Sequence, residues 1–279
     1  MLLVARAGAV TFLAREKGNY SNKSDSSPMY RSPLRYPGGK TRAVKILKSF
    51  IPEGTTTLLS PFLGGGSFEL ALASEGVRVY GNDLFRPLYI FWKVLKERPQ
   101  ELKNSVQAAC PVTKDAFAHL RETILNIQDE LEMATAYYLV NRCSFSGSTF
   151  CGGFSQQSAD GRMNQAAIDR LLTVSLAKVT LSNDDCVDFL KNHPPATGVV
   201  VYADPPYYIP TYVYGKDGDL HEGFDHARFA RELKKRSDWV LSYNDCPYIR
   251  ELYAGCRIET VQWSYGMSIK PSSEVVIRP

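Results

Sequence analysis

Asp204-Pro205-Pro206-Tyr207 follows directly on the apolar run Val199–Ala203, and its residue types describe a site for a planar ligand bearing an amino group. Adjacent prolines lock the turn and remove two N–H donors, so its carbonyls point outward without internal partners. A carboxylate accepts hydrogen bonds, and a tyrosine ring stacks on a flat face. Asp204 and the Pro205 carbonyl therefore suit the two hydrogens of an amine, and Tyr207 suits the ring carrying it.

Two upstream segments could hold a nucleoside-containing cofactor. After a predicted strand at 57–61 come Phe62-Leu63-Gly64-Gly65-Gly66-Ser67 and then a helix. Glycines at such a turn let the backbone approach a ligand closely, and a helix N-terminus attracts negative charge. The next strand ends in Asn82-Asp83, an acid placed to take both ribose hydroxyls. The glycine spacing is neither G-x-G-x-x-G nor a Walker A loop, which disfavours a dinucleotide oxidoreductase or an NTPase. Further upstream, Arg35-Tyr36-Pro37-Gly38-Gly39-Lys40 forms another close-approach loop, with an aromatic to pack on adenine and a lysine to meet a carboxylate.

The elements that must carry these groups read as an α/β chain. Strands are predicted at 57–61, 77–80, 178–182, 198–203, 239–243, 257–262 and 274–278. Helices are predicted at 41–50, 67–74, 88–96, 224–235 and 247–253. The alternation implies a mainly parallel sheet covered on both faces. Residues 88–175 break the rhythm with helical patterns at 114–125, 131–141 and 164–172 around a Ser/Gly/aromatic loop at 143–157. This is expected to be an inserted, mainly helical subdomain beside the ligand edge, dividing a core domain of 33–87 and 176–279. Residues 1–32 read as a mobile N-terminal extension. Arg6 interrupts their apolar start and no basic segment precedes it, which speaks against a signal peptide.

With 279 residues, 44% hydrophobic and 22% charged, the composition is that of a soluble globular protein. No apolar stretch reaches the ~20 residues of a membrane span. A net charge of +4 tolerates a polyanionic partner without demanding one. The 6 cysteines show no C-x-x-C pair, so neither zinc nor a disulfide scaffold is expected. Reduced thiols in a cytoplasmic setting fit best.

Taken in order, the Gly-Gly-Lys segment, the F-x-G-x-G turn, the inserted region and D-P-P-Y resemble the Dam-like (alpha group) adenine-N6-specific DNA methyltransferases. The resemblance covers residues 33–279 and extends to Asn141-Arg142, Phe145-Ser146-Gly147, Phe224-Asp225-His226, Leu241-Ser242-Tyr243-Asn244 and the terminal Lys270 and Glu274-Val275-Val276-Ile277. It implies a Rossmann-like fold that uses S-adenosylmethionine, yields S-adenosylhomocysteine, requires no metal and acts on double-stranded DNA, in a bacterial or phage-type cell. No obligate protein partner is implied. Tyr36, Lys40, Phe62, Gly64, Gly66, Asp83, Asp185 and Asp204 would contact the cofactor. Asp204, Pro205, Pro206 and Tyr207 would form the pocket for a flipped adenine, with Tyr207 stacking on the base. Asn141, Arg142, Arg162 and Lys270 are candidates for DNA contact, as are Arg170, Lys178 and Lys216.

Three positions depart from the family's pattern. Tyr36 stands where tryptophan is frequent, which preserves an aromatic face. Ser60 stands where an acid commonly precedes Pro-Phe, so a contact to the cofactor ammonium is missing. The loop after Asn141-Arg142 holds no arginine or lysine before Arg162. A bidentate guanine contact from it is therefore not expected, and a short or relaxed recognition sequence is. An RNA-adenine methyltransferase, a protein-glutamine methyltransferase and a non-catalytic DNA-binding protein of this fold are the alternatives. Aspartate rather than asparagine at position 204 favours adenine over glutamine.

Overall fold

The computed structural model describes residues 31–36, 38–208, 223–263 and 272–279. Nearly all of the expected N-terminal extension, together with Lys216 and Lys270, lies outside the described residues. The strands are β1 (Thr57–Ser60), β2 (Arg78–Asn82), β3 (Val179–Ser182), β4 (Val199–Ala203), β5 (Trp239–Asn244), β6 (Arg257–Trp263) and β7 (Ser272–Arg278). They form one sheet in the order β3-β2-β1-β4-β5-β7-β6. The first five are parallel, and β7 runs antiparallel between β5 and β6. This is the mainly parallel sheet expected from the alternating pattern, and it agrees with the Rossmann-like fold that the resemblance implies.

Strand alternation divides the core in two. Successive strand residues face opposite sides, so Leu58, Val79, Val200, Val240 and Val276 join one cluster while Leu59, Val201, Leu241 and Ile277 join the other. The first face is covered by α1 (Val44–Lys48), α2 (Ser67–Ser74) and α3 (Arg86–Glu97). The second carries α9 (Cys186–Asn192), α10 (His226–Leu233) and α11 (Pro247–Leu252).

Between β2 and β3 the chain also builds α4 (Pro99–Ala108), α5 (Lys114–Thr123), α6 (Glu130–Cys143), α7 (Gln156–Arg162) and α8 (Gln165–Asp169). Their starts are chemically marked: Thr113, Asp129, Ser155 and Asn164 each accept a backbone N–H in the first turn. α6 is buried almost all round. Tyr137, Leu139 and Leu171 share one apolar cluster with Trp92, Leu58 and Val79. The helical region is thus continuous with the sheet's core, because α3 carries apolar side chains that face both.

Asn82 binds the carboxyl ends of three strands together. Its amide donates to the carbonyls of Pro61 (3.1 Å) and Asp184 (2.9 Å), and its oxygen accepts from Ser182 Oγ and Asp184 N–H, both at 2.8 Å. Every polar position of that buried amide is used, which fixes the edge where a ligand binds. Among the described residues no helix is long and apolar enough to cross a membrane.

Candidate active site

A cavity of about 280 Å³ opens at this edge, beyond the carboxyl ends of β1, β2 and β4. All eight positions expected to contact a cofactor line it: Tyr36, Lys40, Phe62, Gly64, Gly66, Asp83, Asp185 and Asp204. Pro206 also lines it, whereas Pro205 and Tyr207 lie behind the wall.

The glycine turn is shaped by close contacts. Gly64 and Gly66 have φ of +49° and +64°, a region L side chains rarely adopt. Gly65 is required for another reason, since a Cβ there would stand 2.6 Å from Tyr36 Cβ. The Tyr36 ring therefore lies directly on the turn. From the other side, Trp92 Nε1 donates to the Gly64 carbonyl at 3.0 Å, a support that sequence inspection did not single out.

Asp83 stands at the end of β2. Its carboxylate accepts from the Gly64 N–H at 2.9 Å and from the Phe85 N–H at 3.0 Å. Burial pushes its pKa up to about 6, with those two N–H groups acting the other way. Asp185 caps α9 and receives both guanidinium arms of Arg228, at 2.9 and 2.8 Å. That pairing, against partial burial, holds its carboxyl below the ordinary aspartate range. Phe62 packs edge-on against Phe224 and Phe229, with centroids 5.5 and 5.0 Å away, forming an aromatic end to the cavity.

Asp204 is partnered within the protein. One oxygen lies 2.9 Å from Lys40 Nζ, and the other accepts from Ser242 Oγ at 2.8 Å, with 23% of the side chain exposed. Lys40 is only 4% exposed and lies 3.7 Å from Glu274. Burial opposes its charge, but the carboxylates of Asp204 and Glu274 outweigh it, and its pKa stands above the ordinary lysine range. Lysine does meet a carboxylate here, and that carboxylate is the protein's own.

Tyr207 differs from the stacking platform expected of it. The residue is 8% exposed. Its hydroxyl accepts from Lys40 Nζ at 2.6 Å and donates to Glu274 Oε2 at 2.5 Å. The adjacent Tyr208 is 49% exposed, with its ring 4.4 Å from that of Tyr248.

Two of the residues expected at DNA are buried. Asn141 is fully enclosed: its oxygen accepts from the Arg35 N–H, while its amide donates to the Arg35 carbonyl and Thr149 Oγ1. Arg142 is buried, with its guanidinium given to the carbonyls of Arg162 and Pro33. Asn141 thus ties the Gly-Gly-Lys loop to the 143–157 loop, and Arg142 ties Pro33 to the end of α7. The side chain of Arg162 remains exposed. Lys178 precedes β3, at the sheet edge opposite the cavity. On the intervening loop, Phe145 is 66% exposed beside Ser146, whose φ is +54°.

All six cysteines are free thiols. Among the described residues no group of three or more His, Cys, Asp or Glu is arranged to hold a metal ion.

Comparison with known proteins agrees with this geometry. The model of the D12 class N6 adenine-specific DNA methyltransferases matches residues 36–267. The type II methyltransferase M1.LlaDCHI of Lactococcus lactis subsp. cremoris is 24% identical over 257 residues, spanning 86% of this chain and 90% of its own. The type II methyltransferase M.CviBI of Paramecium bursaria Chlorella virus NC1A is 21% identical over 231 residues, spanning 80% and 86%.

Proposed function

Since the chain belongs to the D12 class of N6 adenine-specific DNA methyltransferases, we propose that its cavity binds S-adenosylmethionine and that Asp204 orients the amino group of an extruded adenine. The single observation that carries this is the fixing of the Asp204 carboxylate, by Lys40 on one oxygen and Ser242 on the other, at a cavity wall shared with Pro206.

The residues present fit that cofactor. The glycine turn gives close backbone approach, Asp83 offers a carboxylate for ribose hydroxyls, and Tyr36 and the Phe62 group supply flat apolar surface. When bound, the cofactor supplies an electrophilic methyl group on a sulfonium and leaves as S-adenosylhomocysteine.

The exocyclic amine of adenine is a weak nucleophile, because its lone pair is delocalised into the ring. A base in a duplex is also out of reach and must be extruded, at a cost of a few kcal/mol. Each carboxylate oxygen has about two acceptor sites, so Asp204 can hold its internal partners and still accept an N–H. The second hydrogen falls to the backbone carbonyl of Pro205, which sits between Asp204 and Pro206 of the lining although the residue is otherwise buried behind the wall. This pulls the nitrogen towards tetrahedral geometry and turns its lone pair into the cavity. Lys40 and Ser242 hold the acid in place. Catalysis by these residues is alignment plus electrostatic complementarity to charge developing on the nitrogen.

Tyr207 serves as a strut between Lys40 and Glu274, and the exposed Tyr208 ring is the better placed face for the base. DNA approaches the same sheet edge, with Arg162 positioning phosphate and Phe145 offering an exposed wedge at the rim.

Asp204→Asn tests the reading in a methyl-transfer assay on duplex DNA. It is expected to lower turnover by about 10²–10³-fold, the scale for losing one preorganised electrostatic contact, while circular dichroism stays unchanged. Turnover within a few-fold of the parent would remove Asp204 from this role.

A further inference from the structure

One buried acid in the cavity has no place in the chemistry above. Glu69 lies in the first turn of α2 and is 4% exposed, yet it lines the cavity. Its Oε1 accepts from Ser60 Oγ at 2.8 Å. None of the ion pairs among the described residues includes it. The charges that act on it are Asp204 and Lys40, which neutralise each other 2.9 Å apart. Burial pushes its pKa up to about 7, opposed by its own N–H and the Ser60 hydroxyl. A carboxyl so placed resists ionisation in the empty protein and is drawn into its charged form when a cation enters.

The proposed ligand carries such a cation. Asp83, the Asp185–Arg228 pair and the Phe62 group mark the nucleoside end of the cavity, and the methyl group has to arrive at Asp204. The amino-acid end is thereby left to the wall where β1 ends and α2 begins. That wall presents Glu69, with the fully buried Ser60 hydroxyl behind it.

We propose that Glu69, held by the Ser60 hydroxyl, is the anionic seat for the α-ammonium of S-adenosylmethionine. The inference rests on the cofactor reading of the cavity and names the residue that reads the ligand's amino-acid end. It also explains how Ser60 is tolerated at a position where an acid was expected. The charge has moved from the strand to the facing helix, and the serine keeps it in place.

Binding of two ligands, measured by isothermal titration calorimetry, separates this role from a structural one. S-adenosylhomocysteine has the amino-acid end, whereas 5′-methylthioadenosine has the nucleoside and sulfur without it. Glu69→Gln is expected to weaken S-adenosylhomocysteine by about 10- to 100-fold, the scale of a charge-assisted hydrogen bond. Affinity for 5′-methylthioadenosine should stay within about twofold. Adding Ser60→Asp to Glu69→Gln returns an acid to the strand end and should restore much of the lost affinity, which repair of a purely structural pair would not do. Equal losses for both ligands, or unchanged S-adenosylhomocysteine affinity, would overturn the assignment. A parent protein that binds neither ligand would instead refute the cofactor reading beneath it.

Discussion

Glu69→Gln in the ligand-free protein should leave a signature in the pH dependence of stability. Glu69 titrates at about 7 when folded, against an ordinary value of 4.5. The folded state therefore keeps a proton that the unfolded chain has already released. Stability falls as pH climbs through that window and stays lost above it. Each unit is worth about 1.4 kcal/mol, so the full shift corresponds to roughly 3 kcal/mol. Glutamine preserves the shape and an acceptor for the Ser60 hydroxyl but does not titrate. The variant should gain about 2–3 kcal/mol on the parent between about pH 5 and about pH 8. Asp83, pushed up to about 6, titrates in the same range in both proteins. Its contribution cancels in the difference. Urea unfolding followed by circular dichroism at the two pH values reads the effect directly. An unchanged stability difference at both values, or a variant less stable at the higher one, would show that the carboxyl is not held against its charge. The gain in stability should accompany the loss of cofactor affinity, as expected where a site stores unfavourable charge for its ligand.

Lys40→Met leaves Asp204 and Glu274 buried without their shared cation, and should destabilise the protein by about 3–5 kcal/mol in urea unfolding; a loss below about 1 kcal/mol would mean the ammonium is not what holds that wall. Tyr208→Ala should weaken capture of a duplex carrying 2-aminopurine at the target by about 10-fold, within the range for base stacking, while Tyr207→Leu, which removes the other ring, changes it little. The reverse ranking returns stacking to Tyr207. Long-read mapping of modified adenines in DNA from expressing cells should find a short or relaxed sequence, because the 143–157 loop has no guanidinium for a guanine edge; methylation confined to a four-base palindrome contradicts this.

The strands were legible because β-branched runs ending in turn residues leave few other options. Each of the seven lies within two residues of its predicted place. The position of β7 between β5 and β6 was not legible, since strand order depends on pairings that sequence adjacency does not encode. α4, α7 and α9 were missed. α9 is only seven residues long, and its capping Asp185 read more readily as a ligand contact. The site shows the same division. Residue types marked the glycine turn, Asp83 and Asp204, but the partners of Asp204 come from the Gly-Gly-Lys loop and β5, far apart along the chain. The burial of Asn141 and Arg142, which the resemblance put forward for DNA contact, was not legible either, because their partners include backbone carbonyls that only the folded chain brings near.

The charges in the cavity follow a single logic once their pairings are known. Lys40 is matched by Asp204, and Arg228 by Asp185, so both cations of the lining are already answered. Glu69 and Asp83 lack such answers and are held at raised pKa by burial. Among the described residues, the wall where β1, β2 and α2 meet therefore holds two carboxyls with no protein cation paired to them. Such a wall favours a ligand bearing positive charge over a neutral one of the same shape, because a cation draws the carboxyls into their charged form and interacts with them strongly away from water. Methyl transfer removes one positive charge from the donor. The same two acids are therefore expected to hold the proposed cationic donor more tightly than its product, a preference that requires no movement of the protein.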